Sequence, residues 1–388
     1  MAGSVSKRGK YSYRLTYVVN GLKYRKTIKI LGKNEKENRK LAEQMLLEFI
    51  VEVDSGSFVN TRDVVFKEFA YDWLELIEHD LAVTTLEKYE RVIEQRLVPE
   101  FGNSKLNKIT NIQVKKFINK MLTTEARLDG KKGKLSATTV KDYYDVLSVM
   151  LNNAYEWELM DSKVMDKVKP PRIKKSEAVI YQLDDIKKML EALSQESLQK
   201  QILFLTAMSG TLRRGELVGI NFNDVNEIDD TIHINKSVAR TKEGVVIKDT
   251  KNKRNRTIAI PSELTNMYKQ LKKDRKELKL LLGALWEGVD DIDNSPVFIQ
   301  KNGKRIYPTS PTQMWDKFIK KHKLKKITLH QLRHTGASLL IAEGVDLQTV
   351  SSILGHSRAS TTAEIYIHLI DKGQKEAANV FKNILFNV

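Results

Sequence analysis

The chain has 388 residues, enough for two or three domains that each bury a core of their own. Its 66 Lys and Arg against 49 Asp and Glu give a formal net charge of +17, which favours a polyanionic partner such as nucleic acid. Cysteine is absent, which excludes disulfides, thiolate zinc sites and cysteine nucleophiles. With no signal peptide after the basic start, and no apolar run near the roughly 18 residues of a membrane span, we expect a soluble cytoplasmic protein without membrane contact.

The N-terminal segment is basic throughout, with nine Lys and Arg and no acidic residue among the first 33. Alternation around an Asn20-Gly21 turn predicts a β-hairpin or small sheet, and apolar spacing predicts a helix over about 34–53. Because tyrosines interleave with the cations, and a basic ribbon can enter a DNA groove, we expect residues 1–60 to contact DNA. The candidate contacts are Lys7, Arg8, Arg14, Lys23, Arg25 and Lys26. A solvated basic hairpin is the alternative.

Residues 65–168 predict a compact helical domain, because four segments repeat apolar residues at i, i+3, i+4 and i+7. A connector follows, in which Pro170-Pro171 forbids helix and the flanking cations favour an extended path along a charged surface. The candidate DNA contacts of this connector are Arg172, Lys174 and Lys175. We place the domain boundary near residue 174.

Residues 175–388 predict a mixed, mainly helical domain with a small antiparallel sheet. Helical segments flank three strand-like runs, which are TIHINKSV, VVIKD and RTIAIP. An amphipathic tail, GQKEAANVFKNILFNV, either caps its own domain or docks on a neighbouring subunit. The fold class expected for the whole chain is therefore multidomain α+β.

The chemistry-bearing residues concentrate in this last domain. The segment ITLHQLRHT places His330 and Arg333 on one helical face, and Gly355 precedes His356 as a helix C-cap. A metal site at His330 and His334 is disfavoured, because the zinc-binding pattern HEXXH needs glutamate where Gln331 stands. The other candidates are Arg213 and Glu216 in TLRRGELVG, Lys251 or Lys253 in TKNKRNRT, and Tyr366 ten residues beyond His356.

Together these motifs resemble the signature of the tyrosine recombinases, or phage-type integrases. The resemblance is carried by TLRRGELVG, the basic turn between strands, HQLRHT, LGHS and the tyrosine that follows. The family usually has glycine directly before the residue preceding its first arginine, whereas this chain has Gly210-Thr211-Leu212-Arg213. The spacing to Glu216 favours Arg213 over Arg214 as that arginine. Lys251 is preferred over Lys253, although the turn is about one residue shorter than usual.

The resemblance implies a role for each matched residue. Tyr366 would attack phosphorus to give a 3′-phosphotyrosyl link, and Lys251 would protonate the departing 5′-hydroxyl. The residues expected to hold phosphate oxygens are Arg213, Arg333 and His356, with His330 shuttling the proton of the nucleophile and Glu216 supporting the geometry. No metal, nucleotide or other cofactor is implied.

It also implies an arm-type DNA-binding domain at 1–60, a core-binding domain at 65–168 and a catalytic domain at 175–388. Such proteins recombine double-stranded DNA at core and arm sites as homotetramers, through a Holliday junction. We expect an integrase of a prophage or conjugative transposon, working at the bacterial nucleoid with an excisionase or a host DNA-bending factor. A type IB topoisomerase and a non-catalytic DNA-binding relative are the alternatives, and cleavage in cis or in trans stays open.

Overall fold

The computed structural model describes residues 3–9, 11–19, 22–30, 32, 34–55, 64–123, 126–173, 179–249, 255–355 and 363, without the side chains of 9, 22, 23 and 249. The chain divides into two compact units, Met1–Lys174 and Lys175–Val388. Its mixture of helices and small antiparallel sheets confirms the multidomain α+β fold class.

The first unit opens with a three-stranded antiparallel sheet covered on one face by a helix. The strands are β1 (Gly3–Gly9), β2 (Ser12–Val19) and β3 (Leu22–Lys29), and the helix is α1 (Glu35–Asp54), capped by the Asn34 side chain. The central strand β2 pairs with both neighbours. Alternate residues of the strands, including Tyr13, Leu15 and Ile28, are buried against Phe49 of α1.

The rest of the first unit is helical, as the apolar periodicity predicts. Its helices are α2 (Phe66–Ile77), α3 (Val83–Val92), α4 (Val98–Phe101), α5 (Asn111–Met121) and α6 (Ala137–Glu156), and a π-helical turn, Ile93–Leu97, joins α3 to α4. Trp73 is fully buried among them, and its Nε1 donates a 2.8 Å hydrogen bond to Asn153 Oδ1.

The second unit places two small antiparallel sheets among helices. Its helices are α7 (Leu183–Leu193), α8 (Leu198–Ser209), α9 (Arg214–Gly219), α10 (Ser262–Leu282), α11 (Ser310–Lys321), α12 (Leu329–Ala342) and α13 (Leu347–Leu354). Its strands are β4 (Val225–Asn226), β5 (Thr231–Ile234), β6 (Lys236–Thr241), β7 (Gly244–Asp249) and β8 (Arg256–Ala259).

The strand prediction was wrong in one respect, because the run TIHINKSV is not one strand. It divides at Asn235 into β5, which pairs with β4 and β8, and β6, which pairs with β7 in a separate hairpin. The Asn235 amide donates to Asp224 Oδ1 at 3.1 Å, and Lys236 Nζ lies 2.6 Å from the other oxygen of that carboxylate. A polar anchor that is distant in sequence therefore fixes the break, and alternation alone does not reveal it.

Two close backbone approaches position the elements that carry the candidate site. A Cβ at Gly336 of α12 would lie 2.0 Å from the Met208 carbonyl oxygen of α8, so these helices can touch only because residue 336 is glycine. A Cβ at Gly215 of α9 would lie 2.4 Å from Ser237 Oγ of β6. The first turn of α9 is thus held directly against β6, and the centre of α12 against α8.

Within the described ranges, no helix is both long and apolar enough to cross a membrane. Nor do the described side chains include a cluster of three or more His, Asp or Glu suited to a metal ion.

Candidate active site

The first predicted arginine stands at the start of α9, directly after a strained turn. Thr211 is fully buried and has a φ of 45°, a left-handed conformation that is rare for a β-branched residue. The turn brings Arg213 to the N-cap of α9, where its backbone N–H donates to Glu216 Oε2 at 3.0 Å and its Nη1 donates to Oε1 at 2.9 Å. Residue 211 takes the backbone conformation that glycine adopts most readily, which accounts for the glycine that relatives are expected to have there.

Glu216 is the only carboxylate among the described groups that hydrogen-bond Arg213, and it also binds a second arginine. It is 3% exposed, and Arg256 donates to its two oxygens from Nη2 at 2.8 Å and from Nη1 at 3.3 Å. Burial alone would raise the pKa of Glu216. The hydrogen bond and charge of Arg256, joined by the backbone N–H and charge of Arg213, outweigh that effect and lower the pKa below its ordinary value.

The C-terminus of α13 is held by three arginines from three other elements. Arg256 Nε donates a hydrogen bond to the Ile353 carbonyl at 3.0 Å. Arg333 Nη2 donates to the next carbonyl, that of Leu354, at 2.8 Å, and Arg213 Nη2 donates to the Gly355 carbonyl at 3.1 Å. The last carbonyls of a helix lack intrahelical donors and carry partial negative charge, so guanidiniums stabilise them. Gly355 has a φ of 64° and ends the helix one residue before His356.

Arg333 lies inside the domain rather than on its surface. It is 2% exposed, and its Nη1 donates to the Thr211 carbonyl while its Nη2 donates to Leu354. One guanidinium therefore joins the strained turn before Arg213 to the end of α13.

His330 lies one turn before Arg333 on α12, and it is exposed. Partial desolvation, followed by the positive charges of Arg333 and Arg213, lowers the pKa of His330 below its ordinary value. The neutral imidazole, which can accept a proton, is therefore favoured. The imidazole ring of His330 also packs in a T-shaped contact against the ring of His334, one turn further along α12, with ring centroids 4.8 Å apart.

The predicted residues divide into those that the structure describes and those that it does not. Arg213, Glu216 and Arg333 meet around the C-terminus of α13, with His330 on the adjoining helix. Arg214 is exposed and its Nη1 reaches Thr312 Oγ1 at 3.4 Å, away from Glu216. The residues outside the described part are Lys251, Lys253, His356 and Tyr366, together with the tail after residue 363.

Arg256 belongs to this group, but the sequence analysis did not identify it. It is the first residue of β8, after the basic turn, and in the sequence it looks like one more cation of TKNKRNRT. Its partner Glu216 lies 40 positions away along the chain. The only local signal is its place at the start of a strand, where a charged side chain would otherwise face solvent.

In the first unit, the alternation of the strands sorts the basic residues between two faces of the sheet. Lys7 Nζ pairs with Glu35 at 2.6 Å and Lys26 Nζ with Glu52 at 2.7 Å, so both lie on the face that carries α1. Arg14, Arg25 and Lys29 occupy the alternate positions and hence the other face, where Arg14 lies 4.0 Å from Asp161. Arg8 is exposed and lies at a shift of the β1–β2 register between Lys7 and Gly9, where alternation does not assign it to a face. The side chain of Lys23 is outside the described atoms.

The connector residues are only partly described. Arg172 is exposed and lies in a segment without helix or strand, as Pro170-Pro171 predicts. Lys174 and Lys175 lie outside the described residues.

Two family models match this chain. The model of the phage integrase family matches residues 181–372, and the model of the phage integrase N-terminal SAM-like domain matches residues 65–122. Together they cover more than half of the chain.

Two proteins with assigned names resemble the chain over most of its length. A "Tyrosine recombinase XerC-like" protein of Caldanaerobacter subterraneus subsp. tengcongensis is 28% identical over 97% of this chain and 97% of its own length. The "ICEBs1 integrase" of Bacillus subtilis is 24% identical, with 84% of each chain covered.

Solved structures of integrases share the fold. The Tn1549 transposon integrase in complex with a circular intermediate DNA superposes with a TM-score of 0.67 at 18% identity, covering 80% of this chain and 99% of that one. The lambda integrase tetramer bound to a Holliday junction superposes with a TM-score of 0.57 at 15% identity, covering 92% and 96%. The matched family models, the full-length relatives and the shared fold lead to one conclusion: the chain belongs to the phage integrase family and is a tyrosine-type site-specific recombinase.

Proposed function

We propose that the second unit cleaves and rejoins DNA at one phosphodiester per active site, with Arg213 and Arg333 holding the scissile phosphate. The observation that carries this proposal is the arginine cluster at the C-terminus of α13. Three guanidiniums gather at this helix end, and two of them, those of Arg213 and Arg256, share the one buried carboxylate of Glu216, which leaves a net positive charge beside the residue that precedes His356. Attack on phosphorus builds negative charge on the non-bridging oxygens, and fixed cations stabilise that charge best in a site with little water.

The proposed reaction needs no reactant besides the two DNA strands and the side chains of the protein. The hydroxyl oxygen of Tyr366 forms a bond to phosphorus while the bond from phosphorus to the 5′-oxygen breaks. The proton of Tyr366 passes to His330, whose lowered pKa favours the neutral, proton-accepting imidazole. Lys251 donates a proton to the departing 5′-oxygen. A 5′-hydroxyl from the partner strand then attacks the 3′-phosphotyrosyl link in the reverse sense and releases Tyr366.

His356 and Glu216 also take part in the proposed active site. His356 follows the left-handed Gly355 and would donate to a non-bridging oxygen. Glu216 holds Arg213 from both its backbone N–H and its Nη1, and thus aims the guanidinium rather than transferring a proton.

The wider assembly is proposed from the relatives and from the first unit. The names of the relatives include the integrase of ICEBs1 and a transposon integrase in complex with a circular intermediate DNA. We propose that this chain likewise integrates and excises a mobile element, as a homotetramer on two duplexes. The face of the N-terminal sheet opposite α1 would bind arm sites, and an excisionase or host DNA-bending factor would set the direction.

A strand-exchange assay tests this function. Two linear duplexes of different length, each with the core site of the element, should yield products of exchanged length. Arg213→Gln should abolish exchange, whereas the matched variant Arg214→Gln, which changes the neighbouring exposed arginine, should retain it. Relaxation of supercoiled plasmid without exchanged products would favour the type IB topoisomerase alternative.

A further inference from the structure

We infer that Arg256 is a positioning residue of this active site, acting through Glu216 and the end of α13 to fix the Arg213 guanidinium. The inference rests on the proposed function, because it assigns Arg256 a part in phosphate binding by Arg213. It adds a third arginine to the two that the motifs identify.

The contacts of Arg256 leave no nitrogen of its guanidinium unengaged among the described bonds. Nη1 and Nη2 donate to the two oxygens of Glu216 at 3.3 and 2.8 Å, and Nε donates to the Ile353 carbonyl at 3.0 Å. The side chain is 11% exposed, so it is placed to hold protein groups and not to meet DNA.

These contacts join the three pieces of chain that the proposed reaction must align. Arg256 opens β8, five residues after Lys251 in the sequence, and reaches both α9 and α13. Arg213 binds the same carboxylate at 2.9 Å and the next-but-one carbonyl of α13, Gly355, at 3.1 Å. Arg256 therefore binds the carboxylate of Glu216 and the same helix end that orient Arg213.

The geometry requires arginine at residue 256. A planar guanidinium can place two parallel N–H bonds on a carboxylate and a third bond on a carbonyl, whereas a lysine ammonium presents a single charged point. The site is also tight, since a Cβ at Gly355 would lie 2.8 Å from Arg256 Nη1. A lysine there would keep the charge beside Glu216 but lose the bond to Ile353.

Loss of Arg256 should misplace Arg213 rather than remove it. With Arg256 gone, Arg213 becomes the remaining described partner of a buried carboxylate, and the attraction would draw its guanidinium away from Gly355. A displacement of about 1 Å at a reacting centre can cost about 100-fold in rate.

The test is a double-mutant cycle in single-turnover cleavage, using the full-length protein and a nicked duplex that carries the core site. The variants are Arg256→Gln, Arg256→Lys, Arg213→Lys and the doubles. Arg256→Gln should cleave about 100-fold more slowly with little change in affinity for the duplex. In the Arg213→Lys background the same change should have almost no further effect, because residues that act through one group are not additive.

Arg305→Gln is the matched control. Arg305 is a part-buried arginine that donates to the Val218 carbonyl and to Asn221 Oδ1 at the far end of α9. Its loss should lower the melting temperature of the protein. Any fold-loss in cleavage rate caused by Arg305→Gln should multiply with the fold-loss caused by Arg213→Lys, because the two residues act independently. Arg256→Lys provides a second variant if Arg256→Gln unfolds, and we expect it to restore the melting temperature without restoring the rate.

Three results would overturn the inference. The first is cleavage by Arg256→Gln at the wild-type rate. The second is a fold-loss in rate for Arg256→Gln that multiplies with the fold-loss for Arg213→Lys, as we expect for the control Arg305→Gln. Restoration of the full rate by Arg256→Lys would show that only the charge matters. If wild-type protein bound the duplex and formed no covalent product, the proposed function itself would fail, and the inference with it.

Discussion

The 2.8 Å hydrogen bond from Arg333 Nη2 to the Leu354 carbonyl ties the helix that carries His330 to the helix that ends just before His356. The other terminal nitrogen of Arg333 donates to the Thr211 carbonyl, in the turn that leads to Arg213. A single buried guanidinium thus connects three of the sequence motifs that identify the family. Their order along the chain becomes a cluster in space through this residue and its two arginine neighbours.

The strained turn before Arg213 predicts a stabilising substitution. Thr211 has a φ of 45°, and within the described structure its buried Oγ1 finds no hydrogen-bond partner. Thr211→Gly relieves both penalties, and we expect it to raise the free energy of unfolding by about 1 kcal/mol. Chemical denaturation measures the change. A loss of stability would mean that the packing of the Thr211 methyl against α12 outweighs the backbone strain.

The buried carboxylate at the centre of the cluster predicts a pH-dependent effect. Because the pKa of Glu216 is lowered in the folded state, its charge stabilises the fold above the unfolded pKa of about 4.3, and this contribution is lost as the pH falls through the folded value. Glu216→Gln should therefore cost about 3 kcal/mol near neutral pH. The difference from wild type should shrink in acid.

Denaturation of both proteins at neutral pH and at about pH 3, well below the ordinary pKa of glutamate, checks this. Glu287→Gln, which breaks an exposed ion pair with Lys304, is the control and should change stability little at either pH. A gap between wild type and Glu216→Gln that is constant with pH would contradict the account.

The contact between α12 and α8 predicts that residue 336 tolerates no side chain. A Cβ in Gly336→Ala would lie 2.0 Å from the Met208 carbonyl oxygen, so α12 must shift and carry His330 and Arg333 with it. We expect a loss of about 2 kcal/mol in stability and a slower cleavage rate. Ser338→Ala, two residues on, is the control, because its buried Oγ has no described partner and its removal should be neutral or stabilising. Equal stability of the two variants would refute the prediction.

The two faces of the N-terminal sheet predict unequal contributions to DNA binding. Arg25→Gln with Lys29→Gln removes two charges from the face opposite α1, and the dependence of log K on log salt should weaken by about 1 to 2. Lys7→Gln with Lys26→Gln makes the same charge change in residues paired with Glu35 and Glu52, and should alter the slope less. Fluorescence anisotropy of a labelled duplex over a salt series measures both. A larger effect of the second pair would place DNA on the helix-covered face.

The sequence predicted the helices and strands better than it predicted the contacts between residues that are distant along the chain. Periodicity predicted the helices of 65–168 and the α+β character of the second unit, because each depends on residues close in sequence. Spacing favoured Arg213 over Arg214, and in the structure it is Arg213 whose Nη1 donates to Glu216 Oε1 at 2.9 Å. The roles given to these two residues in catalysis stay predictions.

The parts that sequence reasoning missed depend on distant contacts. Thr211 occupies a left-handed position that the usual rule reserves for glycine, and it is held there by Arg333 from α12. Arg256 gains its meaning only from Glu216 and Ile353, which lie 40 and 97 positions away. The split of TIHINKSV into β5 and β6 likewise depends on the Asp224 carboxylate.

The most direct measurement of the central claim is the formation of a covalent protein–DNA adduct on a nicked duplex that carries the core site of the element. Wild type and Tyr366→Phe are incubated with it in EDTA, and the products are separated on a denaturing gel. A slowly migrating covalent band with wild type, absent with Tyr366→Phe, is the predicted result and would establish the tyrosine nucleophile without a metal ion. A band that persists in Tyr366→Phe, or no band despite binding of the wild-type protein to the duplex, would contradict the account.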